Sequence, residues 1–375
     1  MKIILAAGGS GGHIFPSVAL AGELGKRGIK EIFFISSKRR LDKSILAESK
    51  YPCFFLSVNP MPLKFRPIRI ITFLFKLFSD AIMSIYIIFR VKPDVVVGFG
   101  GYSSGAIVLT AKMFNIPVVI HEQNCVPGKA NKMLGRIADR IAVSFTGAEE
   151  HFPCVREKLV HTGNPLRIDM LTNNREVSAK RLGLDPERIT ILVMGGSQGA
   201  TFLNTIASEA ALLVNEKYAN TVQFVHITGN NDYENIKSFY REKKIKNKTI
   251  SFMERIDDAY AVSDIVISRS GAAAVFELAF YARAMILVPY PNPKNNQRSN
   301  AIYFSDKGAA IYREERDISK DVLFDEVLGL LEDKIKRDEI AGCAERLAMP
   351  EAGRLLAEEV IKLGQHGRTP FRTDV

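Results

Sequence analysis

Ile4-Leu5-Ala6-Ala7-Gly8-Gly9-Ser10-Gly11-Gly12-His13, near the start of the chain, has an echo in Ile191-Leu192-Val193-Met194-Gly195-Gly196-Ser197-Gln198-Gly199-Ala200. Each stretch is an apolar run, then Gly-Gly-Ser, then the start of a helical pattern. Glycines after a strand let the backbone approach a ligand closely. The helix that follows offers unpaired N–H groups and the positive end of its dipole to phosphate. Each stretch therefore reads as the first βα turn of a doubly wound domain, and two of them predict two such domains with a nucleotide or phosphate role. Neither fits G-x-G-x-x-G or G-x-x-x-x-G-K-[ST], and the strand expected over 31–36 ends in Ser36-Ser37, with no acid placed for an NAD ribose. Dinucleotide oxidoreductases and P-loop NTPases lose ground accordingly.

Outward from these turns, short apolar runs alternate with helical stretches. Strands are expected over 2–7, 31–36, 53–58, 94–98, 117–121, 140–143 and 158–161, then over 190–194, 221–227, 249–252, 265–268, 285–288 and 309–312. Helices are expected over, for example, 16–26 and 105–114. Strands apolar along their whole length imply parallel sheets covered on both faces, so the fold class is α/β, two doubly wound, Rossmann-like domains. Asn164-Pro165 breaks regular structure after a strand, which places the domains at 1–164 and 165–347. Residues 348–375 form a C-terminal helix and tail expected to pack back on the first domain, with a frayed polar end from Gly364.

The 375 residues are 47% hydrophobic, as in an ordinary globular protein. Four scattered cysteines form no C-x-x-C pair, which argues against a disulfide scaffold or a cysteine zinc site and for a reducing compartment. The five apolar residues at the N-terminus run straight into glycines and read as a strand, not a secretory leader. The net charge of +10 is uneven: residues 1–165 hold 22 basic and 11 acidic side chains, a net of +11, and the remainder is close to neutral. Such asymmetry points to an anionic partner for the first half: nucleic acid, an anionic membrane or a phosphorylated substrate.

Other segments carry chemistry. His13, after the first glycine turn, is placed to act as a base or to donate to a substrate. Gly100-Gly101-Tyr102-Ser103-Ser104-Gly105 is a third glycine-rich turn. His121-Glu122-Gln123-Asn124 puts four polar residues at the end of a buried strand, where unpaired burial is costly, so a functional role is expected. Ser268-Arg269-Ser270-Gly271-Ala272 opens a helix on which Glu277 could accept from ribose hydroxyls. The stretch 289–301 is rich in amides suited to sugar hydroxyls. Within 61–93 the run from Ile70 to Phe89 carries only Lys76 and Asp80 as charges. It is long enough to span a bilayer, but it must link two strands of one sheet. A helix or hairpin lying on the membrane surface is therefore expected.

In this order, these motifs resemble the MurG family of GT-B glycosyltransferases over essentially the whole chain. Gly163-Asn164-Pro165-Leu166-Arg167 and Asn296-Gln297-Arg298-Ser299-Asn300-Ala301 complete the set. The resemblance implies transfer of GlcNAc from UDP-GlcNAc to the MurNAc 4-hydroxyl of lipid I, an undecaprenyl-linked acceptor, giving lipid II for peptidoglycan, cell shape and cell division. It implies that Met253 contacts uracil, Glu277 ribose, and Ser197, Arg167 and the helix starting near Ala272 the diphosphate. Gln297 would bind GlcNAc hydroxyls, with Asn124 and Ser10-Gly11-Gly12 closing over the sugar. His13 would be the catalytic base or position the acceptor. Lys64, Arg66, Arg69, Phe73, Lys76 and Phe78 are expected at the acceptor and an anionic membrane, on its cytoplasmic face. Nucleic acid is not an expected partner; other cell-wall synthesis proteins are. No D-x-D pair signals a Mg²⁺ clamp, so no metal or cofactor is expected and a single inverting displacement is. A diacylglycerol glycosyltransferase, or a non-catalytic UDP-sugar-binding protein docked on the membrane, remains the alternative. Ser10 stands where the family usually has Thr, and Ala274, Phe276 and Asn296 also depart from its pattern.

Overall fold

The computed structural model describes residues 1–47, 49–57, 67–166, 174–196, 199–292 and 296–366, with the side chains of Leu41, residues 67–70 and His366 left aside. The chain forms two units, Met1–Arg167 with Met349–Val375, and Ile168–Ala348.

In the first unit seven strands form a parallel sheet: β1 (Lys2–Ala6), β2 (Glu31–Ser37), β3 (Cys53–Leu56), β4 (Val95–Gly98), β5 (Val118–Glu122), β6 (Arg140–Val143) and β7 (Leu159–His161). Their order is β3-β2-β1-β4-β5-β6-β7, so the winding reverses between β1 and β4. Parallel strands need crossover helices, which cover both faces and leave alternate strand residues with separate cores. Ile3, Leu5, Phe34 and Val97 pack under α1 (Gly11–Lys26), α2 (Arg40–Ala47) and α14 (Ala352–His366). Ile4, Ile35, Val96 and Ile120 pack under α3 (Pro67–Val91), α4 (Tyr102–Met113) and α5 (Lys129–Gly135).

The second unit repeats the plan with β8 (Ile189–Met194), β9 (Val222–Ile227), β10 (Asn247–Ile250), β11 (Ile265–Ser268), β12 (Ala284–Leu287) and β13 (Ile311–Tyr312), in the order β10-β9-β8-β11-β12-β13. Its reversal lies between β8 and β11. On one face sit α7 (Thr201–Tyr218), α8 (Tyr233–Glu242) and α12 (Lys320–Glu332). Elsewhere α6 (Arg175–Leu182) packs on α9 (Ile256–Val262), and α10 (Ala272–Phe280) on α13 (Lys334–Leu347); α11 (Gln297–Asp306) adjoins α10. Both units share a fastening at the reversal. Asp94, just before β4, accepts from the Lys2 N–H at 2.8 Å, and Asp264, just before β11, accepts from the Thr190 N–H at 2.8 Å.

Several local expectations are corrected. The helix expected from residue 16 begins at Gly11 and takes Pro16 into its interior, because the paired glycines continue directly into the helix. The helix expected from 105 begins at Tyr102. The segment 67–91 is one helix of 25 residues, not a hairpin. Gly364 lies inside α14, where an added Cβ would meet Met1 and Val95 at 3.2–3.3 Å, so the helix continues packed past the point where fraying was expected to begin; residues 367–375 lie outside the described residues.

Candidate active site

All strands of each sheet run parallel, so every βα loop of a unit emerges at one edge, and the crevice at the winding reversal is where open α/β sheets take ligands. In the first unit that crevice is built from the loops after β1 and β4. Gly100 and Gly101 both have left-handed backbones, φ +92° and +80°, and a Cβ on Gly101 would stand 2.5 Å from the Gly8 carbonyl oxygen. Two glycine turns therefore touch, and only a residue without a side chain fits between them. His13, in the first turn of α1, has its Nδ1 3.1 Å from the Gly8 carbonyl and 3.3 Å from Ser10 Oγ. A carbonyl can only accept, so Nδ1 is the donor, and in the neutral imidazole this leaves the lone pair on Nε2, the form a general base requires.

Asp42 was not legible as part of this site, yet its carboxylate accepts from the Gly9 N–H at 2.8 Å and from Ser37 Oγ at 2.6 Å. It arrives from α2, more than thirty residues along the chain, and nothing in the local spacing announces it.

The quartet 121–124 corrects the expectation of a functional role. His121, Glu122 and Gln123 are buried and paired. His121 Nε2 donates to the Gly163 carbonyl at 3.1 Å, and Gln123 Nε2 donates to the Phe99 carbonyl at 3.0 Å. Glu122 accepts from the N–H groups of Asn124 and Gly128 and from Asn131 Nδ2. These residues are the fastening behind the β4 and β5 loops. Burial pushes the His121 imidazole down to about 4, against the Gly163 hydrogen bond and with His13 adding to the fall, so it is neutral at physiological pH. Asn124 is half-buried, and its Nδ2 donates to Glu122 Oε1 at 3.1 Å.

In the second unit Gly196 and Gly199 have left-handed backbones, φ +89° and +76°, and a Cβ on Gly199 would collide with the Thr228 carbonyl. Asn204, on α7, holds that neighbour: its Nδ2 donates to Thr228 O at 2.8 Å and to Asp232 at 2.7 Å, and its Oδ1 accepts from His226 Nε2 at 3.1 Å. His226 is driven down to about 3 by burial and accepts from the Tyr240 hydroxyl through Nδ1.

Glu277 is half-buried, five residues into α10, and accepts from the Tyr260 hydroxyl at 2.9 Å. Tyr260 lies on α9, in the segment that follows Met253 after β10. Gln297, at the start of α11, accepts from the Tyr290 N–H at 3.0 Å, and its own carbonyl accepts from Ser270 Oγ at 2.8 Å. Asn300, expected among the sugar-facing amides, is buried with its Nδ2 on the Ser270 carbonyl. Arg269 is buried too, paired with Glu315 at 2.6 Å and donating to the carbonyls of Val288 and Pro289. These two residues support the loop before Ala272.

The helices at both reversals, α1, α4, α7 and α10, begin without a side-chain cap, as do α5, α8, α9 and α11, whereas α6, α12 and α13 are capped by Asn174, Ser319 and Asp333; what sets α1, α4, α7 and α10 apart is their place at the sheet edge where the winding reverses. The leading N–H groups of a helix have no partner within it, so uncapped ends suit an anion.

Ser197, Arg167, Lys64 and Arg66 lie outside the described residues, as does the Arg69 side chain. Of the other expected acceptor and membrane residues, Phe73 and Lys76 are half-buried and Phe78 is 66% exposed on α3. One face of α3 is buried through Asp80, Ser84, Ile87, Ile88 and Val91, with both Asp80 oxygens accepting from the Ser57 N–H. The opposite face exposes Ile71, Phe75, Phe78, Ile82 and Phe89, a stripe at helical spacing.

Residues 3–143 match the glycosyltransferase family 28 N-terminal domain, and residues 190–352 match the family 28 C-terminal domain. A Flavobacterium psychrophilum protein named UDP-N-acetylglucosamine--N-acetylmuramyl-(pentapeptide) pyrophosphoryl-undecaprenol N-acetylglucosamine transferase is 36% identical over 367 residues, 96% of this chain and 97% of its own length. A Myxococcus xanthus protein of the same name is 34% identical over 383 residues, covering 100% of this chain and 98% of its own. The crystal structure of Acinetobacter baumannii MurG superimposes with a TM-score of 0.76 at 26% identity, over 96% of this chain and all of that one. A Neisseria meningitidis UDP-GlcNAc 2-epimerase bound to UDP-GlcNAc shares the fold, with a TM-score of 0.67 at 15% identity over 96% of this chain and all of the epimerase.

Proposed function

This chain belongs to the MurG family of glycosyltransferase family 28 and is a glycosyltransferase, and from that premise we propose that it moves GlcNAc from UDP-GlcNAc to the MurNAc 4-hydroxyl of an undecaprenyl-pyrophosphoryl acceptor. The observation that supports this best is the set of three helices without side-chain caps at the winding reversals, α1 with His13 in the first unit, and α7 and α10, the latter with Glu277, in the second. Glu277 takes the ribose hydroxyls and Met253 the uracil, Gln297 and Asn124 the sugar. Arg167, Ser197 and the first turns of α7 and α10 take the diphosphate.

The proposed chemistry is a single displacement. His13 Nε2 removes the proton of the acceptor hydroxyl as that oxygen attacks the anomeric carbon from the face opposite the diphosphate. The C–O bond to UDP breaks, the anomer inverts, and the charge on the departing diphosphate is met by backbone N–H groups already aimed at it. The chain supplies these donors itself, so the reaction is proposed to need no metal.

We place the enzyme at the cytoplasmic face of the membrane, docked through α3. The exposed stripe of α3 continues onto Leu109 and Met113 of α4 and Met133 of α5, with Lys76, Arg90, Lys129 and Lys132 in the same elements. Apolar insertion combined with basic residues suits an anionic surface.

Purified enzyme given UDP-GlcNAc and a lipid I analogue in EDTA is expected to release UDP and form the disaccharide. Transfer to diacylglycerol but not to the MurNAc acceptor would overturn the substrate reading, and activity restored only by Mg²⁺ would overturn the metal-free one.

A further inference from the structure

We propose that Asp42 is a positioning residue for the reaction: through the Gly8-Gly9 turn it holds His13 in the tautomer that leaves Nε2 basic. The inference deepens the role proposed above for His13 and rests on it.

Gly9 is gripped through both of its backbone polar groups, which belong to the two peptide units on either side of its Cα. Its N–H donates to Asp42 Oδ2 at 2.8 Å, and its carbonyl accepts from Arg39 Nη1 at 2.9 Å. The Asp42 oxygen is held by Ser36 Oγ at 3.2 Å and Ser37 Oγ at 2.6 Å, both at the end of β2. The carboxylate is fully buried, although it sits in the first turn of α2, where an acid ordinarily faces its own helix end. Gly9 has φ +88°, so the turn is one that an L-residue would rarely adopt.

This geometry determines where the Gly8 carbonyl points. A Cβ on Gly8 would stand 3.0 Å from Asp42 Oδ2, which leaves the peptide little room to rotate. The Gly8 carbonyl is in turn the acceptor for His13 Nδ1 at 3.1 Å. If Asp42 releases the Gly9 N–H, the Gly8–Gly9 peptide is free to turn, Nδ1 loses the carbonyl that can only accept and keeps the Ser10 hydroxyl, which can donate as well as accept, and the proton is free to redistribute towards Nε2. A histidine protonated there cannot act as a base at that atom. Small displacements of this kind cost as much as a hundredfold in rate.

A merely structural role for Asp42 predicts lost stability with an unchanged His13, so the test reads the imidazole directly. Histidine-¹⁵N-labelled protein is compared as wild type, Asp42→Ala and the isosteric Asp42→Asn, with the His13 signal assigned by its loss in His13→Gln. The Nδ1–H share of His13 is expected to fall in Asp42→Ala. Its kcat should fall by roughly 10- to 100-fold while UDP affinity stays within about twofold of wild type. Asp42→Asn, which keeps one acceptor oxygen, should lie between wild type and Ala in both readouts, and it is read alone if Ala does not fold. A lowered kcat with an unmoved His13 tautomer overturns the proposal, as does a variant unchanged in both. A shifted tautomer with an unchanged kcat supports the coupling and counts instead against His13 as the base.

Discussion

His13 and Glu277 stand out in the sequence because each follows a glycine- or alanine-rich turn at a strand end, and each belongs to the loop edge of its own sheet. His13→Ala is expected to lower kcat by ~10²–10⁴ with UDP affinity near wild type; a variant with normal turnover would make His13 a turn-packing residue. Glu277→Ala should weaken UDP binding by roughly 1.5–3 kcal/mol, the scale of a hydrogen bond to a charged group, and calorimetry showing unchanged affinity would remove it from the donor site. His121 carries a different prediction. Its folded pKa of about 4 lies below the ordinary 6.5, so the unfolded chain binds the proton first and stability is lost as pH falls from about 6.5 towards 4. Its share is about 3 kcal/mol at full protonation, and His226 adds a loss of the same sign in the other unit. Urea unfolding at pH 7, 5.5 and 4.5 should show midpoints falling with acid, and a flat series would rule the effect out. These two histidines could not be distinguished from catalytic ones by spacing, because their partners lie far along the chain: Gly163 for His121, and Asn204 and Tyr240 for His226.

At the scale of elements, α3 shows why an all-apolar helix is ambiguous in sequence. Both of its faces read alike, and only packing separates the buried Ile87 and Ile88 from the exposed Phe75 and Phe78. Phe75→Ser with Phe78→Ser should reduce vesicle binding strongly, since each buried phenylalanine is worth about 1.5–3 kcal/mol, while transfer to a detergent-soluble acceptor stays intact. Loss of both together would mean that the stripe serves folding. Most strands were legible to within a residue or two because they are largely apolar and bounded by turn residues; β10, Asn-Lys-Thr-Ile, is the exception in composition. The start of α1 was not, because Gly-Gly disfavours helix locally and Pro16 looks like an opening residue; the turn geometry around Gly8 and Gly101 overrides both.

On the scale of the whole chain, the last helix returns to the first unit. Leu356, Ala357 and Val360 are fully buried beside β1 and β4, and α14 packs on α1. Truncation after Ala348 should therefore lower the unfolding transition of the first unit by roughly 5 kcal/mol or more from lost apolar burial and leave the contiguous second unit unchanged. Calorimetric scans of both forms would check it, and a downward shift of both transitions would count against two independent cores. The +11 charge of residues 1–165 predicts vesicle binding that needs anionic lipid and weakens as salt rises. Flotation indifferent to lipid charge and salt would leave that half without an anionic surface to meet.

Hydrophobic periodicity and glycine placement are local properties, so the sequence by itself determined the α/β class and, to within a residue or two, the positions of the strands found among the described residues. The order of the strands, the contact between the turns after β1 and β4, and the assignment of polar residues to substrate or to scaffold are relations between distant segments. Asp42 reaching Gly9, and His121 and Asn300 turning inward, depend on which backbone groups are left unpaired once the sheets are assembled. A buried polar atom must find a partner wherever the fold places one, and that choice is made only in three dimensions.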